Sequence, residues 1–184
     1  SLSFVEDPTR VFRAIRFEQR FGFQISKETQ HFIQQAETME LFHRLSGTRL
    51  GNELIHILEE TEPAKGIQRL NQFKLFPFIH PKLQWKEPAS TLFESGEKIL
   101  AWHEVEHANP GTDRWVLYAL AWFESLGKAE LVKTWKRLGF PQRITATVGE
   151  FLQAQSTLMR TLNKKHLAPS EVYALLTPWP RELV

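Results

Sequence analysis

Cysteine is absent from this 184-residue chain. That excludes a disulfide framework and thiolate metal sites, and it fits a reducing cytoplasm. Net charge is scarce too, at +2 with histidine neutral. A surplus that small names no partner, so any contact with nucleic acid has to come from local patches. No apolar run approaches the roughly 18 residues of a membrane span, and there is no signal peptide, so no membrane partner is expected. No long alternation of β-branched residues occurs, which counts against a sheet. Repeats of fixed period and low-complexity stretches are missing as well. The chain opens on Ser1 at a helix boundary, and reads as a piece of something longer.

What is present is apolar and helical. Hydrophobic residues make up 42% of the chain, enough for a globular core. Asp7 before Pro8 is a helix N-cap followed by a first-turn proline, and Gly22 closes that helix. Ser26 and Ser46 are placed to cap a second and a third helix, and Pro63 opens a fourth. Further helices are predicted at about 90–107, 113–126, 128–138, 142–163 and 170–176, punctuated by Asn109-Pro110-Gly111, Gly127 and Gly139. The expected fold is all-α, an irregular array of roughly nine or ten helices. The six tryptophans and fourteen phenylalanines read mostly as its core.

The first helix, FVEDPTRVFRAIRFEQRF, carries an arginine stripe. With Arg10 at zero, Glu6 extrapolates to about 320°, Arg13 to about 300°, Arg20 to about 280° and Arg16 to about 240°. Val11, Ala14, Ile15 and Phe21 fall between about 20° and 140°, on a separate apolar face. Phe12, Ile15 and Phe21 are expected to pack onto the next helices. Glu6 and Arg10 are i,i+4 partners. Such a stripe can be a solvated surface, in which case the chain is a helical scaffold without nucleotide recognition. The alternative follows from its being arginine throughout. The guanidinium fork suits planar acceptors, and an Asp–Arg pair one turn apart offers the acceptor and donors that a nucleobase edge needs.

This segment resembles the neck of class II tRNA nucleotidyltransferases and bacterial poly(A) polymerases, CCA-adding or A-adding, whose pattern there is Glu-Asp-x-x-Arg-x-x-Arg-Ala-x-Arg-Phe. Glu6, Asp7, Arg10, Arg13, Ala14, Arg16 and Phe17 meet every fixed position. LSGTRLGNELIHIL at 45–58 is similar to the next neck motif through Ser46, Arg49, Glu53, Leu54 and Leu58, with Thr48 where the family usually has Glu. Arg49 and Glu53 also read as a plain i,i+4 surface pair. LFPFIHPKL at 75–83 and PSEVYALL at 169–176 look like body-domain stretches.

The resemblance implies a neck, residues 1–62, that selects the nucleotide, and a helical body, residues 63–184, on the tRNA-binding side. Asp7 and Arg10 would hydrogen-bond the incoming base, Glu6 would steady Arg10, and Arg13 and Arg16 would support the site or face phosphate. It implies a transferase that extends RNA 3′ ends with ATP or CTP. The partners implied are a tRNA acceptor end, a nucleoside triphosphate and an N-terminal catalytic head in the parent protein. That head would hold Mg2+ on paired carboxylates. No Gly-rich phosphate loop and no Asp-x-Asp occurs here. No cofactor is therefore expected on this chain, and by itself it is expected to transfer no nucleotide.

Two further patterns remain. WHEVEH at 102–107 contains His-Glu-x-x-His, in which His103 and His107 could ligate zinc with Glu104 as base of a hydrolase. Glu106 between the ligands and the helix-breaking Asn109-Pro110-Gly111 make a poor setting for it, so no metal site is expected. Lys133, Lys136 and Arg137 share one helix face at i, i+3, i+4, a candidate track for RNA phosphates.

Overall fold

The computed structural model describes residues 4, 6–39, 41–106, 113–164, 166–180 and 183, the side chains of 87, 88 and 103–106 excepted. Among the described residues there are ten α-helices and no strand. They are α1 (Thr9–Phe21), α2 (Lys27–Thr38), α3 (Gly47–Leu58), α4 (Pro63–Gln72), the single turn α5 (Phe76–Ile79), α6 (Glu87–Glu106), α7 (Arg114–Phe123), α8 (Lys128–Arg137), α9 (Gln142–Leu162) and α10 (Pro169–Leu176). Short 3-10 turns follow α2 and α7, at Leu41–Arg44 and Glu124–Leu126. No described helix is long and apolar enough to cross a membrane.

Local chemistry sets the ends. Ser26 accepts from the Thr29 amide at 3.2 Å, and Ser46 from the Arg49 amide at 3.3 Å. Each such cap holds a helix start by about 1 kcal/mol. Pro63 stands at the first position of α4, where its missing N–H costs nothing. Gly22 ends α1 in the left-handed region, its amide bonded to the Glu18 carbonyl.

Helix α3 is the hub. It packs against α1, α4, α7 and α8, burying Leu50, Leu54, Ile57 and Leu58. Its contact with α8 depends on two glycines one turn apart. A Cβ on Gly47 would lie 1.7 Å from the Arg137 carbonyl oxygen, and one on Gly51 would lie 2.0 Å from that of Leu138. Only hydrogen at those positions lets the backbones meet. The division expected after residue 62 falls at the α3–α4 turn. Helix α4 packs on both α1 and α3, and one hydrophobic cluster runs from Val11 to Leu183. Its aromatic heart is Trp115, Trp122, Phe123, Trp135 and Phe140, in tilted and edge-to-face pairs.

The apolar face of α1 differs from expectation at its end. Val11, Phe12 and Ile15 are fully buried, but Phe21 is 65% exposed and stacks on exposed Phe23. The buried direction centres near 130° on the wheel, which brings Phe12 in and leaves Phe21 about 110° off it. At that level of the helix the inward position belongs to Glu18, 7% exposed.

Candidate functional site

The first turn of α1 gathers the predicted cluster. Asp7 Oδ1 accepts three bonds: from the Thr9 amide at 3.1 Å, the Thr9 hydroxyl at 2.6 Å and the Arg49 guanidinium at 2.9 Å. The N-cap expected at Asp7 falls one residue later, on Pro8, and Asp7 closes the start of α1 from just outside it, its side chain bonding the first helical amide. Among the described residues no donor lies on Oδ2. The Thr9 hydroxyl bond is the main reason that the Asp7 carboxyl titrates below its ordinary value; burial opposes it, and the Thr9 amide, then Arg49, then Arg10 add to the lowering. Asp7 is thus held as a carboxylate, with one oxygen committed to structure.

Around it, Arg10 and Arg13 are exposed, as is Glu6. Arg10 stands near enough to Asp7 for its charge to lower the Asp7 pKa. Thr9, buried at 4%, was invisible as a site residue in the motif, although a hydroxyl two residues after a capping aspartate was the available signal. Arg49 and Glu53 do not form the i,i+4 surface pair that their spacing allows. Arg49 reaches back to Asp7, and Glu53 faces Arg16 at 3.9 Å. The reason is that α3 lies along α1, so tertiary partners stand closer than the next turn of the same helix.

Arg16 sits apart from the open end of the stripe. Its side chain is 14% exposed, with Glu60 4.0 Å from Nε. Both contacts are too long for hydrogen bonds, and Arg16 Nε and Glu53 Oε2 have no hydrogen-bond partner among the described residues, while Glu60 Oε1 lies 2.7 Å from Arg20 Nη2. Arg20 Nε bonds Glu60 Oε2 at 3.1 Å. Between Arg16 and Arg20, on the inward side of the helix, Glu18 accepts from the Ile25 amide at 2.8 Å and from Arg69 Nε and Nη2 at 2.7 and 3.1 Å. Arg69 also bonds Gln72 and lies over the Phe73 ring. No sequence signal pointed to Glu18 or Arg69.

On α8, Lys133 and Lys136 are exposed, and Lys133 lies 4.0 Å from Glu130. Arg137 shares their face, but its guanidinium donates to the Ile79 carbonyl at the end of α5. The His-Glu-x-x-His pattern lies outside the described residues, since the side chains of 103–106 and all of His107 fall there. Among the described residues no group of three metal-ligating side chains occurs.

Comparison with known proteins places this arrangement. The family described as "Probable RNA and SrmB-binding site of polymerase A" matches residues 22–86. The A-adding tRNA nucleotidyltransferase of Geobacter sulfurreducens is 45% identical over 126 residues, which are 68% of this chain and 14% of that protein. The A-adding tRNA nucleotidyltransferase of Aquifex aeolicus is 27% identical over 177 residues, 96% of this chain and 21% of that one. Among solved structures, the Thermotoga maritima CCA-adding enzyme complexed with tRNA superposes with a TM-score of 0.76 and 30% identity, over 99% of this chain and 44% of that one. A tRNA-processing enzyme in an apo form gives 0.84 and 27%, over 99% of this chain and 49% of that one. The helical array is thus shared with solved tRNA-processing and CCA-adding enzymes. The chain belongs to the tRNA nucleotidyltransferase family, and it spans about half the length of the solved relatives it matches.

Proposed function

We propose that this chain is the nucleotide-selecting and RNA-holding part of a tRNA nucleotidyltransferase that extends RNA 3′ ends with ATP or CTP. The observation that carries this is the state of Asp7. Thr9 and Arg49 fix its Oδ1, so the carboxylate is ionised and oriented, and among the described residues no donor lies on Oδ2. Arg10 follows on the exposed side of the same turn.

An acceptor beside a donor fork suits the edge that adenine and cytosine have in common. Each presents an amino donor next to a ring-nitrogen acceptor, whereas guanine and uracil present a carbonyl next to a ring N–H. Asp7 takes the amino hydrogen and Arg10 donates to the ring nitrogen. Glu6 steadies Arg10, and Arg13 faces phosphate. Arg16, held between Glu53 and Glu60, keeps the stripe's inner edge in place. The exposed Lys133 and Lys136 offer charge to the backbone of the tRNA acceptor arm, while Arg137 braces α5. That its relatives include A-adding and CCA-adding enzymes supports both halves of this reading. Phosphoryl transfer belongs to a catalytic head with Mg2+ in the parent protein. Given ATP and tRNA, the purified chain alone is expected to transfer no nucleotide.

An NMR titration tests selection. ATP and CTP are expected to shift the backbone and guanidinium signals of Asp7, Thr9 and Arg10, and GTP and UTP to leave them in place. Equal shifts from all four nucleotides would reduce α1 to a scaffold helix with a charged face.

A further inference from the structure

Among the described residues, three α-helices end on a residue in the left-handed backbone region. Two of those residues are glycines, Gly22 after α1 and Gly139 after α8. The third, after α4, is Lys74, with φ of 56°. The ends of α4 and α8 are built alike. The Lys74 amide bonds the Asn71 carbonyl at 2.9 Å and the Leu75 amide bonds that of Leu70 at 3.0 Å; Gly139 and Phe140 repeat the pattern onto Lys136 and Trp135. This double bond pattern is the Schellman end, whose left-handed position glycine fills without steric cost. A lysine there is strained, because its Cβ crowds the backbone. Strain retained at one of two equivalent ends points to a use for the side chain.

That side chain lines an open pocket of about 550 Å3, the size range of small-ligand sites. Trp85 and Phe78 are two of its half-buried walls, and both are braced from behind. Trp85 stands edge-on to buried Phe93 at 5.0 Å, and Phe78 packs on buried Phe42 at 5.0 Å. Lys86 adds a second cation, and Asn71 and Gln84 add amides; Glu37 is the one acid among the described residues of the lining. None of the four side chains Asn71, Lys74, Gln84 and Lys86 bonds another described residue. Fixed aromatic faces with cations beside them form a platform for an unpaired nucleotide, the ring stacking and the phosphate meeting the lysines.

We propose that the pocket bounded by Lys74, Phe78, Trp85 and Lys86 seats one unpaired nucleotide of an RNA strand, at a site separate from the base-reading end of α1. This rests on the RNA-handling half of the function above. Stacking and amide hydrogen bonds hold the base, and Lys74 and Lys86 neutralise the flanking phosphates.

The test uses a short fluorescein-labelled single-stranded RNA, titrated into the whole chain over a range of salt. Lys74→Gly is the informative variant, because strain and function pull it in opposite directions. It is expected to raise Tm by about 2 °C while weakening binding about fivefold. The slope of log affinity against log salt should flatten by about 0.7, one single-strand phosphate contact. Lys86→Ala should weaken and flatten binding equally without the gain in Tm, and Lys98→Ala on exposed α6 should change neither. Affinity for a fully paired RNA duplex should be the same in all four proteins. Unchanged single-strand affinity and slope in both pocket variants would overturn the proposal, and would leave the pocket to a protein partner or to none. A fall in Tm for Lys74→Gly would overturn the strain premise and the proposal with it. Failure of the unsubstituted chain to bind single-stranded or duplex RNA would instead remove the RNA-handling reading itself.

Discussion

Helix α1 makes an arginine–carboxylate contact at each end, and the two are built to different standards. At the far end Glu18 is buried, with both oxygens bonded and Arg69 held by a fork, an amide and a ring. Every polar group there is answered, which is what a buried pair needs to be tolerated. At the near end all three donors crowd one oxygen of Asp7, and Arg49 keeps more than half of its side-chain area in solvent. Identical chemical groups thus join helices in one place and stand open in the other. The pair at the far end is saturated among the described residues, whereas at the near end the described donors all fall on Oδ1 of Asp7.

The contrast can be broken most severely at the closed end. Glu18→Ala strips Arg69 of its partner and leaves the Ile25 amide without an acceptor. A loss of about 3–5 kcal/mol is expected, read as a lower urea midpoint. A loss below about 1 kcal/mol, the scale of an exposed pair, would erase the distinction between the ends. Next comes Asp7→Asn, which keeps the shape of the cap but not its charge. It should cost about 1 kcal/mol at neutral pH. Because folding lowers the Asp7 pKa, the carboxylate's contribution is fully present above the unfolded aspartate value of about 3.9. It is lost as pH falls through the lower folded value. The stability gap between the natural chain and Asp7→Asn should therefore be constant from neutral pH down to about pH 5 and close below about pH 4. A gap that persisted into strong acid would mean that the cost came from shape instead. The smallest effect belongs to Arg49→Ala, about 0.5 kcal/mol in unfolding, since that guanidinium is an exposed partner.

Much of the frame was legible because its signals are local. Ser26, Ser46, Pro63 and Gly22 each act within one turn, and each stands where the sequence put it. The arginine motif was legible for another reason, its likeness to a known family. What stayed hidden is tertiary. Asp7 and Arg49 are 42 positions apart, and Glu18 and Arg69 are 51. Periodicity assigned Phe21 to the core because it weighs hydrophobicity alone, and it could not foresee that a glutamate with a distant arginine would take the inward position. Nor could it show that Gly47 and Gly51 mark the close crossing of α3 and α8, since that crossing is a property of both segments.

The central claim is that the open end of α1 reads a base while the closed end holds the fold. It is met most directly by measuring ATP-over-GTP preference and the unfolding midpoint together for the natural chain, Arg10→Ala and Glu18→Ala. Arg10→Ala is predicted to bring the preference close to one with its midpoint unmoved, and Glu18→Ala to lower the midpoint sharply. A natural chain without the preference, an Arg10→Ala protein that keeps it, or a midpoint that falls as far with Arg10→Ala as with Glu18→Ala, would contradict the account.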